Sequence, residues 1–175
     1  MIRPLLTTIL CLLVTIGHAM SVKEKHIYGY VEKVYIPALK TSLKAKLDTG
    51  ANSSSLSAVN IQETEEGDTT YLTFTVPFKT GSVTLKKPLV GEVKIKSRAG
   101  ENLKKTNGKP KPKPIHRPVI KLLVKLGSET RDIDVNLTNR KRFNYPLLLG
   151  RRALIQFDSI IDPSEVFLAD SKEKK

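Results

Sequence analysis

The stretch KLDTGANSSSL, Lys46–Leu56, decides how the chain is read. Just before it, Leu43, Ala45 and Leu47 alternate with Lys44 and Lys46. A period of two marks a strand with one face in the core and one in water. The strand runs into Asp48, Thr49 and Gly50, followed by Ala51, Asn52 and three serines. Asp and Gly are favoured in any tight turn. The stretch therefore reads either as an ordinary turn or as a carboxylate presented at the end of a strand.

Working outward, most of the chain is β-like. YGYVEKVYIPAL (28–39) holds β-formers in loose alternation before a proline, and SLSAVNIQ (55–62) reads as a short strand. ETEEGD (63–68) reads as an acidic turn, TYLTFTVPF (70–78) as a cleanly alternating strand, and 82–98 as short strands broken by Pro88 and Gly91. Residues 99–118 are rich in Pro, Gly and Lys and read as a long loop or hairpin tip. VIKLLVKLGSETRDIDVNLT (119–138) is the clearest hairpin, turning at Gly127-Ser128. NRKRFNYP (139–146) is a basic connection, LLLGRRALIQF (147–157) an apolar run with a short helical pattern, and DSIIDPSEVFLAD (158–170) a turn and terminal strand. The predicted class is all-β, a small barrel or sandwich with one short helix near the C-terminus.

The first 19 residues carry Arg3, an apolar run and Gly17-His18-Ala19. That is the pattern of a cleaved secretory signal, and the run is short for a membrane span. The expected organisation is a signal peptide at 1–19, a lead-in at 20–26, one domain at 27–170 and a charged tail at 171–175. The expected location is the periplasm, with no stable membrane span after cleavage. Cleavage removes the one cysteine, so neither a disulfide nor a thiolate metal site is expected. Neither a His-Glu-x-x-His helix nor a Walker-type loop is present, so no metal and no cofactor are expected. The chain carries 30 basic and 17 acidic residues, net +13; without Arg3 the balance is 29 to 17, net +12. Such a field attracts anionic partners. Sparse aromatics, not interleaved with the basic residues, argue against nucleic acid.

Two carboxylates sharing one proton supply acid and base for amide hydrolysis, because like charges about 3 Å apart do not both ionise. Asp48 is the candidate carboxylate, the Thr49 hydroxyl a candidate brace, and Gly50 leaves room for substrate backbone. LDTGA, followed about 100 residues later by LLLGRRAL, resembles the retropepsins, single-domain aspartic proteases of retroviral type. AKLDTGANSSSLSA, HRPVIKLLVKLG and YPLLLGRRAL together look more closely like the bacterial retropepsin-like aspartic endopeptidases, formerly labelled ATP-dependent zinc proteases. The resemblance spans about residues 27 to 169 and implies the acid-protease barrel. The zinc and ATP of the old label find no ligands or phosphate loop in the sequence.

One Asp-Thr-Gly per chain implies a homodimer in which Asp48 pairs with Asp48 of a second copy. Asp158 and Asp162 lack the following glycine and read as turn residues. By the resemblance, Ala51, Leu148, Leu149, Gly150 and Arg151 support the dyad, and VFLAD is the candidate dimer strand. Viral enzymes carry an acidic residue where this chain has Asn52, so the expected partner of Arg151 is the Asn52 carbonyl. Strand alternation points Lys46 away from the core, and it reads as solvent-exposed. The flap is expected within 92–118, with Lys96, Arg98, Lys104 and Lys105 as candidate substrate contacts, or else as lysines of a solvated loop. The functional expectation is a secreted or periplasmic aspartic endopeptidase acting on peptides or proteins, acidic ones among them. The alternatives are a non-catalytic module binding an acidic envelope component, and a protease controlled by cutting of its own basic loop.

Overall fold

A computed structural model describes residues 24–95 and 114–169. The expected signal segment and tail, and Lys96, Arg98, Lys104 and Lys105, lie outside them. The described chain is nearly all β. In order come β1 (His26–Ile36), β2 (Thr41–Asp48), β3 (Ser54–Ser57), β4 (Val59–Glu66), β5 (Thr69–Phe78), β6 (Gly81–Pro88), β7 (Gly91–Ile95), β8 (Ile115–Leu126), β9 (Glu129–Thr138), β10 (Leu147–Gly150), a helix α1 (Arg151–Gln156) and β11 (Ser159–Val166).

The larger sheet runs β11-β1-β2-β10-β3-β9-β8-β7, and β1 also pairs with β8. That extra pairing closes six strands, β1, β2, β10, β3, β9 and β8, into a barrel, which removes the free edges of the central strands. β2 shows why the sequence closes this way. Leu43, Ala45 and Leu47 are buried, while Lys44 is exposed and Lys46 half-buried. β8 repeats the pattern with Ile120, Leu122, Val124 and Leu126 inward. Its turn into β9 uses Gly127 at φ +57°, a conformation glycine adopts without strain. A second sheet, β4-β5-β6, adds Leu72, Phe74 and Val76 to the same core.

Three local expectations change. The acidic segment is mostly strand: β4 continues to Glu66 and only Gly67-Asp68 turns, because β5 pairs along it to Thr69. Ile115–Pro118 belongs to β8, held by pairing with β7. The terminal strand is Ser159–Val166 rather than VFLAD, since Phe167 has φ +57° and ends the extended run.

Candidate active site

β10 lies between β2 and β3, the two strands that lead into and out of the Asp-Thr-Gly turn. It runs parallel to β2 with Leu147 opposite Ala45, Leu148 opposite Lys46, Leu149 opposite Leu47 and Gly150 opposite Asp48. Two motifs far apart in sequence thus end at one level. Leu147 and Leu149 fill the core, and Leu148 lies half-buried on the Lys46 side.

Gly150 is required by this approach. A Cβ there would lie 2.5 Å from the Ser53 carbonyl oxygen and 2.9 Å from that of Ala51. The Gly150 N–H donates to Ser54 Oγ at 3.2 Å. The Arg151 N–H donates to the Ala51 carbonyl at 2.7 Å, and the Arg152 N–H to that of Asn52 at 3.3 Å. The opening amides of α1 therefore tie down the loop after Asp48. The Arg151 guanidinium donates to Asn52 Oδ1 at 3.4 Å.

Asp48 Oδ1 accepts from the Gly50 and Ala51 amides at 3.1 and 3.3 Å. Its Oδ2 accepts from Lys46 Nζ at 2.9 Å. The Lys46 hydrogen bond, helped by its charge and by the two amides, holds the Asp48 carboxyl below the usual carboxylate range, against partial burial, which pushes it up. This corrects the reading of Lys46 as merely solvent-exposed. It points away from the core, yet residues two apart on a strand share a face, and Asp48 is on that face. Thr49 and Gly50 are exposed at the tip of the turn. Among the described residues no hydrogen bond of the Thr49 hydroxyl occurs, so within one chain the amides, and not Thr49, brace Asp48. Asp158 pairs with Lys25 at 3.4 Å, and Asp162 accepts from the Ser164 amide and hydroxyl.

Sequence reasoning missed Arg140. In the sequence it is one of three consecutive basic residues in a turn-prone connection, yet only 6% of it is exposed. Its Nε donates to the Tyr145 carbonyl at 3.0 Å and its Nη1 to Ser55 Oγ at 3.1 Å, and it stacks 4.5 Å from the Phe143 ring centroid. A turn has no periodicity, so no pattern in the sequence marks which of three basic residues folds inward.

Among the described residues no group of three His, Cys, Asp or Glu side chains is placed to hold a metal ion. In the same residues no helix is long and apolar enough to cross a membrane.

A family model described as RimB-like, retropepsin-like aspartic endopeptidase RimB, matches residues 27–172. A solved Legionella pneumophila protein described as of unknown function is 48% identical, with a TM-score of 0.70, over 83% of this chain and 99% of that one. Curated relatives are named probable alpha-L-glutamate ligase. The protein from Shewanella pealeana is 33% identical over 85% of this chain, and that from Desulfotalea psychrophila 31% identical over 80%. The chain spans only 31% and 28% of those two proteins. These names correct the functional expectation. The relatives that align over most of this chain are named as ligases and not as endopeptidases, which stands against the expected assignment as an aspartic endopeptidase.

Proposed function

The chain belongs to the RimB-like family of retropepsin-like aspartic endopeptidases, and from that membership we propose that it hydrolyses glutamate-bearing peptide chains at a glutamyl amide bond. The observation that carries the reading is the Asp48 carboxylate, fixed by Lys46 and two turn amides opposite Gly150. The substrate class is supported by curated relatives named probable alpha-L-glutamate ligase, a name that specifies glutamate. A net charge of +13 draws such a chain in.

The chemistry follows from the ionised state of Asp48. A carboxylate held charged at the end of a strand accepts a proton from water as general base. The water oxygen bonds to the glutamyl carbonyl carbon, the C–N bond breaks, and the proton that Asp48 took from the water passes to the leaving nitrogen, which restores the carboxylate. The Lys46 ammonium beside Asp48 adds positive charge where the carbonyl oxygen becomes negative. The proposal includes a homodimer, because each chain brings one Asp-Thr-Gly turn with Thr49 and Gly50 exposed. The edge strand β11 exposes Ile160 and Val166, an apolar edge suited to a second copy.

The test is mass spectrometry of a peptide ending in a run of glutamates, incubated with wild-type protein or with Asp48→Asn. Shortened chains are expected from the wild type alone. Equal shortening by both proteins refutes the role of Asp48.

A further inference from the structure

A cavity of about 380 Å³ lies between β7 and α1, next to the loop that follows Asp48. That volume is within the range of ligand sites, about 300–1,000 Å³. Residues 90–94 line it on one side and Ser53 and Arg152 on the other, with Asp134 of β9 between them. The face of a strand contributes only every second residue to a surface. A lining of consecutive residues means that the cavity meets β7 along its edge. β7 ends the larger sheet, so among the described residues that edge pairs with no strand. Pro118 lies opposite Glu92 and has no N–H, so the ladder bonds to β8 fall at Val93. The N–H and C=O of Glu92 and Lys94 therefore face the open side. An open edge of this kind pairs with an extended peptide.

The charges name the peptide. Glu92 and Asp134, the two acidic residues of the lining, are already paired, with His116 at 3.1 Å and Lys121 at 3.0 Å. Lys94 and the Arg152 guanidinium, the two cations of the lining, make no ion pair among the described residues. The planar donor fork of arginine matches a carboxylate. The cavity is also fixed to the catalytic loop. The Arg152 N–H donates to the Asn52 carbonyl at 3.3 Å. Ser53 is five residues beyond Asp48, a span of at most roughly 17 Å. An extended chain leaving Asp48 covers that distance in about five residues.

We infer that this cavity is a second binding site for the acidic substrate chain, which lies as an added strand along the edge of β7 with side-chain carboxylates on Arg152 and Lys94. Arg152 is then a specificity-determining residue, remote from the bond that is cut. The inference rests on the proposed glutamate-bearing substrate and adds that the protein reads the length of the glutamate run.

The experiment measures binding apart from cleavage. Full-length Asp48→Asn protein is titrated calorimetrically with hexaglutamate and with triglutamate, which is too short to span from Asp48 to the cavity. Hexaglutamate is expected to bind about tenfold more tightly. Adding Arg152→Met, an exposed position whose backbone bond to Asn52 is kept, should shrink that preference to about threefold or less. Strand pairing is read at Lys94. Proline is tolerated on an edge strand where its nitrogen faces outward, so Lys94→Pro removes an outward donor and Lys94→Met does not. Hexaglutamate should bind about threefold more weakly to the proline variant than to the methionine variant, with urea midpoints that show both to be folded. Binding that is independent of length, a preference undiminished by Arg152→Met, or equal binding by folded Pro and Met variants overturns the site. The expected binding pattern together with no cleavage by the wild type leaves the site standing and overturns the proposed hydrolysis instead.

Discussion

Substituting Gly150 by alanine tests whether β10 and the Asp48 turn are built as one unit. The added methyl would lie 2.5 Å from the Ser53 carbonyl oxygen, 2.6 Å from its carbon and 2.9 Å from the Ala51 oxygen. All three are backbone atoms, so no side-chain rotation relieves the contact. Ordinary contact begins at 3.4 Å, so the loop must recede by 0.9 Å at its closest point, the difference between 3.4 and 2.5 Å. Overpacking of this kind costs about 1–3 kcal/mol. The recession also stretches the Arg151 N–H to Ala51 bond of 2.7 Å and the Gly150 N–H to Ser54 bond of 3.2 Å. Each such bond contributes about 0.5–1.5 kcal/mol. The expected loss is therefore about 2–6 kcal/mol in urea denaturation with an unchanged slope. Because the displaced loop carries Asp48, cleavage of the glutamate-tailed peptide should fall by about a hundredfold even where the variant is fully folded. Stability within about 0.5 kcal/mol of wild type, the range of a neutral surface change, together with an unchanged rate would refute the packing argument.

Two further outcomes follow from single contacts. Glu32, fully buried, accepts from the amides of Gly29 at 2.7 Å, Leu168 at 3.0 Å and Ala169 at 3.3 Å, so Glu32→Ala leaves three donors short of a partner. The loss should be on the order of 3 kcal/mol by denaturation, and Glu32→Gln should recover part of it. Lys46→Met removes the main cause of the lowered Asp48 pKa, so that pKa rises and the acid limb of kcat/KM moves to higher pH. The stability linked to Asp48 is present above its unfolded pKa and lost as pH falls through the depressed folded one, so this acid-side loss should shrink in the variant. An acid limb that stays in place or moves to lower pH counts against the Lys46–Asp48 pair as the cause.

Much of the fold was legible because strand alternation is a local signal. Leu43, Ala45 and Leu47 against Lys44 and Lys46 fixed both the face of β2 and its end at Asp48. The Gly127 turn marked the β8–β9 hairpin in the same way. The threading of β10 between β2 and β3 was not legible from periodicity, because the pairing joins segments about 100 residues apart and leaves no local pattern. The Lys46–Asp48 pair was within reach, since the same alternation that turns Lys46 from the core places Asp48 on its face. Arg140 was not, because only the chain's path over Ser55 distinguishes it from the exposed Lys141 and Arg142 beside it.

The central claim is that water cuts a glutamyl amide bond under the control of Asp48. Its most direct test is incubation of a glutamate-tailed peptide in ¹⁸O-labelled water, followed by mass spectrometry of the new C-terminus. The account predicts one labelled oxygen in the freed glutamyl carboxyl with the wild-type protein and no product with Asp48→Asn. Intact peptide from the wild type, or equally labelled product from Asp48→Asn, would contradict it.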